Sequence, residues 1–223
     1  GAREALEHRI QGQTEEVRAS REELAMRLMT ACAFRFGNTG AHVRRIGLYV
    51  VRIAEQLGWS GDAIDQLRIA ASLHDVGKIG IPDALLQKPG RPTTAEWELI
   101  KTHTVLGHSL LGGSGVPLIQ MAAQVALHHH EHWNGRGYPR GLKGTEIPVE
   151  ARIVSIGDVY DGLSHAQAYK PAWPEPDVVR FFLEQRGEQF DPELVDLFLE
   201  RLGDFRAIRL AHPDEPELRL KWR

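Results

Sequence analysis

His74 and Asp75 stand side by side, with Gly77-Lys78 directly after Val76. An imidazole next to a carboxylate offers two metal ligands, and Lys78 puts a cation where a metal-held phosphate would meet it. Four more histidines and one more aspartate, His42, His103, His129, His130 and Asp158, stand where they could complete the same site. Each lies on or beside an apolar stripe near the end of an expected helix. A lone histidine in such a place is more often a hydrogen-bonded core residue. Asp158 is harder to dismiss, because it lines up with Ala151 and Val154 on a buried face, where a carboxylate is costly unless paired or metal-bound. His74-Asp75 at a helix C-terminus adds the negative end of the helix dipole, which favours a cation. The chemistry that this set points to is a metal centre.

The elements that must deliver these residues are helices. Asn38-Thr39-Gly40 is expected to start one whose stripe is His42, Ile46, Tyr49, Val50, Ile53 and Leu57, with Gly58 ending it. A second is expected over 62–76, carrying Leu67, Ala70, Ala71 and Leu73 and stopping at Gly77. Thr93-Thr94 caps one that carries Trp97, Ile100, His103, Leu106 and Leu110. Pro117 opens another with Ile119, Ala122, Ala126 and His130 in register. Pro148 opens the one bearing Asp158, and one or two closing helices cover Val178 to Leu202. No segment alternates with a period of two, so the fold is expected to be all-α. Arg206 to Leu210 and Leu218 to Trp222 read as short strands or extended chain.

Residues 2 to about 34 contain no proline and read as one long helix. Ile10, Val17, Leu24 and Ala31 recur every seven residues, but the companions Leu6, Gln13, Ser20 and Arg27 are mostly polar, which is half a coiled-coil seam. That pattern suits either a solvated surface helix or a signalling helix entering from an upstream domain. The division expected is a linker helix over 1–36, a catalytic domain over 37–202 and a tail over 203–223. Gly1 without a methionine suggests a fragment. The 223 residues, 42% of them hydrophobic, can bury one sizeable core. A net charge of −3 argues against a DNA-binding surface. No stretch reaches the roughly 18–20 apolar residues of a membrane span. Cys32 is the only cysteine, so no intrachain disulfide forms and a reducing, cytoplasmic compartment is expected.

The substrate side falls on the loop from Glu131 to Pro148. It holds Gly135, Gly137, Gly141 and Gly144 together with Arg136, Tyr138, Arg140 and Lys143. Glycines allow close backbone approach, the cations suit phosphate, and Tyr138 can stack on or hydrogen-bond a nucleotide.

From Asn38 to Leu197 the chain resembles the HD-GYP family. The resemblance rests on Asn38-Thr39-Gly40-Ala41-His42, on Leu73 through Asp83, on Lys88-Pro89-Gly90 and on His129-His130-Glu131 with Trp133. It continues through Gly137-Tyr138-Pro139, Asp158-Val159, Tyr169-Lys170 and Gln189-Phe190-Asp191-Pro192. It implies an HD-type helical bundle with an N-terminal signalling helix, and a phosphodiesterase that opens cyclic di-GMP to pGpG, and on to GMP in some members. It also implies two divalent transition metal ions. One is held by His42, His74, Asp75 and Asp158, the other by Asp75, His103, His129 and His130, so that Asp75 bridges. The His-His-Glu-X-Trp pattern fixes the register at His129 and His130 and leaves His128 outside. Imidazole and carboxylate ligands suit Fe, Mn, Co, Ni or Zn without choosing among them. Asp75 and Lys78 carry the catalytic roles, and Lys78, Arg136, Tyr138, Gln167 and Lys170 face the substrate. A homodimer through the N-terminal helix, an upstream sensory or receiver domain and a diguanylate cyclase partner are the expected associations. Two rivals are a sensing or docking module with little turnover, and a different metal-dependent reaction, on another nucleotide or on dioxygen.

Three residues depart from the family pattern. Asn38 replaces a glutamate found in members with three metals, Asn134 replaces an aspartate after Trp133, and Gln167 replaces an arginine that grips a substrate phosphate. An amide supplies neither the charge nor the two-pronged geometry of a guanidinium. A charge-assisted hydrogen bond contributes about 1.5–3 kcal/mol. Gln167→Arg is therefore expected to tighten cyclic di-GMP binding roughly ten- to a hundredfold by calorimetry with little change in metal content. Asn38→Glu should do the opposite. Unchanged affinity in Gln167→Arg would remove the phosphate-gripping role from this position.

Overall fold

The computed structural model describes residues 2–35, 40–165 and 171–214. The chain is all-α. Helix α1 (Ala2–Arg35) is followed by α2 (Gly40–Gln56), α3 (Gly61–Ser72), a 3₁₀ turn at Val76–Gly80 and the short α4 (Asp83–Leu86). Next come α5 (Thr94–Lys101), α6 (His103–Leu111), α7 (Pro117–His128) and α8 (Val149–Ser164). The closing helices are α9 (Glu175–Glu184), α10 (Pro192–Glu200) and α11 (Leu202–Ala211). Among the described residues there is no strand, only isolated bridges between Asn134 and Lys143 and between Arg186 and Phe190.

The apolar stripes meet as their spacing requires. Ile46, Tyr49, Val50 and Ile53 of α2 are fully buried against Leu67 and Ala70 of α3 and Val154 of α8. Phe182, Phe198 and Phe205 close the core from the C-terminal helices, with Phe205 stacked on Tyr49 at 4.7 Å. Thr93 caps α5 in a reciprocal box with Glu96. Met29 of α1 is buried, whereas Leu6, Ile10, Val17, Leu24 and Leu28 are exposed, and Arg18 pairs with Asp62 and Asp65 of α3.

Three expectations change. The second helix ends at Ser72, not 76, because the Ser72 hydroxyl bonds back to Ile69 O at 2.6 Å and the chain then tightens into successive i→i+3 bonds. His74-Asp75 thus lies in a turn just beyond the helix. The expected helix through Trp97 and Leu110 is two helices, α5 and α6, meeting at Thr102. Arg206 to Leu210 is helical, not extended. The short stretch looks alternating, but Leu202, Phe205 and Ile208 recur every three residues and cover the core. Leu218 to Trp222 lies outside the described residues.

The site depends on how closely three segments approach. A Cβ on Gly77 would meet His103 O at 1.9 Å and the Gly107 N at 2.4 Å, and one on Gly107 would meet Ala126 Cβ at 3.1 Å. Small residues thus let the 3₁₀ turn lie on α6, and α6 on α7. Overpacking against backbone, which cannot rotate away, puts Gly77→Ala at the upper end of the usual range or beyond it, about 3 kcal/mol or more. Urea unfolding is the check, and a loss under about 1 kcal/mol would show that the turn can retreat from α6.

Candidate metal centre

The seven ligand candidates come together in two adjoining groups. Asp75, His103, His129 and His130 form one, and His42, His74 and Asp158 form the other, with donor atoms inside each group within 4.8 Å of one another. Asp75 stands between them. Its Oδ2 is 3.4 Å from His74 Nε2, and its Oδ1 is 3.4 Å from His103 Nε2 and 3.9 Å from His129 Nε2. Asp158 Oδ1 lies 3.7 Å from the Nε2 atoms of both His42 and His74.

The imidazoles are aimed by their other nitrogen. Nδ1 of His74 donates to Ala71 O at 2.7 Å, that of His103 to Ile100 O at 2.7 Å, and that of His129 to Val125 O at 3.0 Å. His42 differs: its Nδ1 bonds to the Asp161 carboxylate at 2.8 Å. A proton fixed on Nδ1 leaves the Nε2 lone pair for the centre, as metal-bound histidines require. Nε2 of His74, His103 and His129 and Oδ1 of Asp75 are buried and make no hydrogen bond. Inward lone pairs without partners beside an unpartnered carboxylate oxygen fit a cation, so the residues present suit the implied metals.

The charges agree. Burial, then His130 and the other imidazoles, hold His129 well below the usual histidine range; burial and His103 do the same to His130. Neutral imidazole is the ligand form. Burial opposes a proton on His74, but Asp75 and Asp158 overcome it and raise the group to about 9. Burial also opposes the Asp75 charge, and Lys78 and His74 overcome that, keeping it well below the carboxylate range. Lys78 is ion-paired to Asp75, and the pair raises its own pKa against burial.

Glycine shapes the substrate edge. A Cβ on Gly137 would meet His132 N at 2.2 Å and His130 O at 2.5 Å, so the loop folds tightly onto the segment it follows. Tyr138 N then bonds to His130 O at 3.1 Å, and the Tyr138 ring stacks on His130 at 4.8 Å. The Tyr138–Pro139 peptide is cis. Arg136 is exposed on this loop, its N–H held by Asn134 Oδ1. Asn38, Gln167 and Lys170 lie outside the described residues. His128 belongs to neither group; its ring is buried with Nδ1 3.8 Å from Glu131.

Sequence reasoning passed over several residues. Glu131, quoted only as part of a motif, accepts the N–H groups of Arg140 and Leu142 at 2.7 and 3.0 Å and so ties down the loop. Trp97 and Lys101 of α5 reach the Tyr138 ring at 6.3 and 5.5 Å, and helix spacing alone gives no sign of that meeting. Asp161 could have been suspected as a second carboxylate one turn after Asp158 on the same helix.

A family model described as HD domain matches residues 26–194. The chain is 43% identical over 204 residues to the cyclic di-GMP phosphodiesterase response regulator RpfG of Xanthomonas campestris pv. campestris, covering 92% of this chain and 54% of that one. It is 42% identical over 182 residues to a cyclic di-GMP phosphodiesterase of Thermotoga maritima, covering 82% and 50%. It is 40% identical over 199 residues to the 3′3′-cGAMP-specific phosphodiesterase 2 of Vibrio cholerae serotype O1, covering 89% and 38%. The chain therefore spans about half the length of these relatives or less. Among solved structures, a cyclic GMP-AMP specific phosphodiesterase of V. cholerae superposes with a TM-score of 0.61 at 21% identity, over 84% of this chain and 50% of that one. An HD-GYP protein of Bdellovibrio bacteriovorus gives 0.58 at 18%, over 84% and 64%; both likenesses concern the fold.

Because Asp75 presents one oxygen to each group, Asp75→Ala should lose metal from both, while His103→Ala should spare the His42 group. His128→Ala should keep its metal, and His129→Ala should lose most of it. Elemental analysis after dialysis reads these outcomes; full occupancy in Asp75→Ala, or loss in His128→Ala, would overturn the ligand assignment.

Proposed function

The chain belongs to the HD domain family, in its HD-GYP branch, and we propose that it is a metal-dependent phosphodiesterase hydrolysing a 3′,5′-phosphodiester bond of cyclic di-GMP to give pGpG. The observation that carries this is Asp75, buried between two groups of candidate ligands, with its Oδ1 and the Nε2 atoms of His74, His103 and His129 making no hydrogen bond. The names of the Xanthomonas and Thermotoga relatives support the substrate. His42, His74, Asp75 and Asp158 would hold one divalent ion, and Asp75, His103, His129 and His130 the other. When bound, two such ions would supply an activated water and a Lewis-acidic clamp on the phosphoryl group.

This chain's own residues do the rest. Lys78, charged and held beside Asp75, balances negative charge on a phosphoryl oxygen and on the leaving oxygen. Tyr138 stays protonated, because burial and then Asp75 and Asp158 push its phenol up, so it can donate to a phosphate or a base edge. Arg136 extends the cationic side of the same loop, and Lys170 adds a further substrate contact. Gln167 in place of arginine favours a second reading, a sensing or docking module with low turnover, for which a diguanylate cyclase is the fitting partner.

The linker helix over 1–36 would bring a signal from an upstream sensory or receiver domain in a cytoplasmic protein. The exposed Leu6, Ile10, Val17 and Leu24 support pairing with a second copy. Among the described residues, no helix is long and apolar enough to cross a membrane.

Turnover is tested with protein loaded separately with Mn²⁺ or Fe²⁺ and given cyclic di-GMP, 3′3′-cGAMP or pGpG. Release of pGpG from cyclic di-GMP, lost in Asp75→Ala, is expected. Binding without turnover under every metal would favour the sensing module, and preferential cleavage of 3′3′-cGAMP would reassign the substrate.

A further inference from the structure

The far nitrogen of His42 is taken up by a side chain outside the two ligand groups, that of Asp161. It is 2% exposed, and four side chains converge on it. His42 Nδ1 reaches Oδ2 at 2.8 Å. Arg45 Nε donates to Oδ1 at 2.7 Å and Arg45 Nη2 to Oδ2 at 2.8 Å, a two-pronged pairing. Tyr49 Oη donates to Oδ1 at 3.1 Å, and His165 Nδ1 stands 3.3 Å from the same oxygen. Arg45 itself is 1% exposed, and its third nitrogen points away from Asp161. Nη1 donates to His212 O at 2.8 Å and to Asp214 Oδ1 at 2.9 Å, beyond the end of α11.

We propose that Arg45 and Asp161 form a strut through which the segment at His212–Asp214 holds His42 in its metal-binding orientation. The inference rests on the metal-centre reading above and adds three positioning residues to it. Helix α2 provides the reason. His42 and Arg45 are one turn apart on the same helix, so a single carboxylate from α8 can bond both. A buried guanidinium and carboxylate are retained only when their remaining donors and acceptors are satisfied. Here the C-terminal segment supplies both acceptors of Nη1. Without it, Nη1 of the buried Arg45 would lose both of its acceptors and the fork on Asp161 would have to shift. Asp161 does for His42 what backbone carbonyls do for His74, His103 and His129.

The test is Mn²⁺ binding to metal-stripped protein, counted by electron paramagnetic resonance titration and separate from any turnover. It is run in a His103→Ala background, where the His42 group is the intact one, and in a His42→Ala background, where it is not. In the first, Asp161→Asn and Arg45→Lys should weaken Mn²⁺ binding roughly ten- to a hundredfold, the range for outer partners of metal-bound histidines. Asp214→Ala should weaken it less, by about three- to tenfold as the milder case of the same effect. In the His42→Ala background the same changes should have no further effect, because the ligand they orient is gone. Asp214 is part-exposed, so Asp214→Ala keeps the test available should the buried substitutions fail to fold. Unchanged Mn²⁺ affinity in folded variants, or equal weakening in both backgrounds in step with a lower Tm, would overturn the strut while leaving the metal centre standing. Failure of the wild-type protein to take up Mn²⁺ would overturn both.

Discussion

Asp75 is a carboxylate taken out of water, and the surrounding structure is organised around the charge it keeps. An isolated buried carboxylate would take up a proton, because burial penalises its ionised form. Asp75 does not, because Lys78 three residues on and the adjacent His74 supply positive charge at contact range. That compensation places demands on the backbone. The chain must leave α3 at Ser72 and tighten into a 3₁₀ turn, so that residues 74, 75 and 78 all serve one centre. The Oδ1 atom is the remainder of the same balance: it faces His103 and His129, with no hydrogen bond of its own. Protein charges account for one oxygen and leave the other to a cation.

Close backbone approach is what makes this geometry reachable. Gly77 and Gly107 let the turn and α6 touch through main-chain atoms, and Gly137 lets the substrate loop fold onto the segment that bears His130. Neither Gly77 nor Gly137 has a positive φ, so what each provides is the missing side chain and not an unusual conformation. Tyr138 is therefore placed by its neighbour on one side and by the imidazole of His130 on the other. Metal ligand and substrate contact are held by the same few residues, which ties the shape of the pocket to the integrity of the centre.

Much of this was legible in the chain because the residues involved are patterned locally. The stripe from Ile46 to Ile53 reads as a buried helix face on its spacing alone, and the Thr93–Glu96 box marks a helix start. The seven ligand candidates stood out as polar groups on apolar faces. What escaped notice depends on meetings between distant segments. Nothing in Arg206-Ala207-Ile208-Arg209-Leu210 by itself tells a helix from a strand; Phe205 against Tyr49 decides it. Nothing in the spacing of α2 marks Arg45, whose charge is matched by Asp161, 116 residues on, and by Asp214, 169 residues on.

The four histidines oriented by their Nδ1 atoms divide along the same line. His74, His103 and His129 bond to carbonyls three or four residues back, so each is aimed by the helix end or turn that carries it. Their orientation is fixed once the local backbone forms. His42 instead bonds to a side chain 119 residues away, on α8, which Arg45 links in turn to the C-terminal segment. A local bond survives small shifts between helices, since donor and acceptor move together; a remote one does not. The His42 group is thus the part of the centre most sensitive to how α2, α8 and the chain beyond α11 pack against one another. Asp75, shared between the groups, passes any such shift on to the other half.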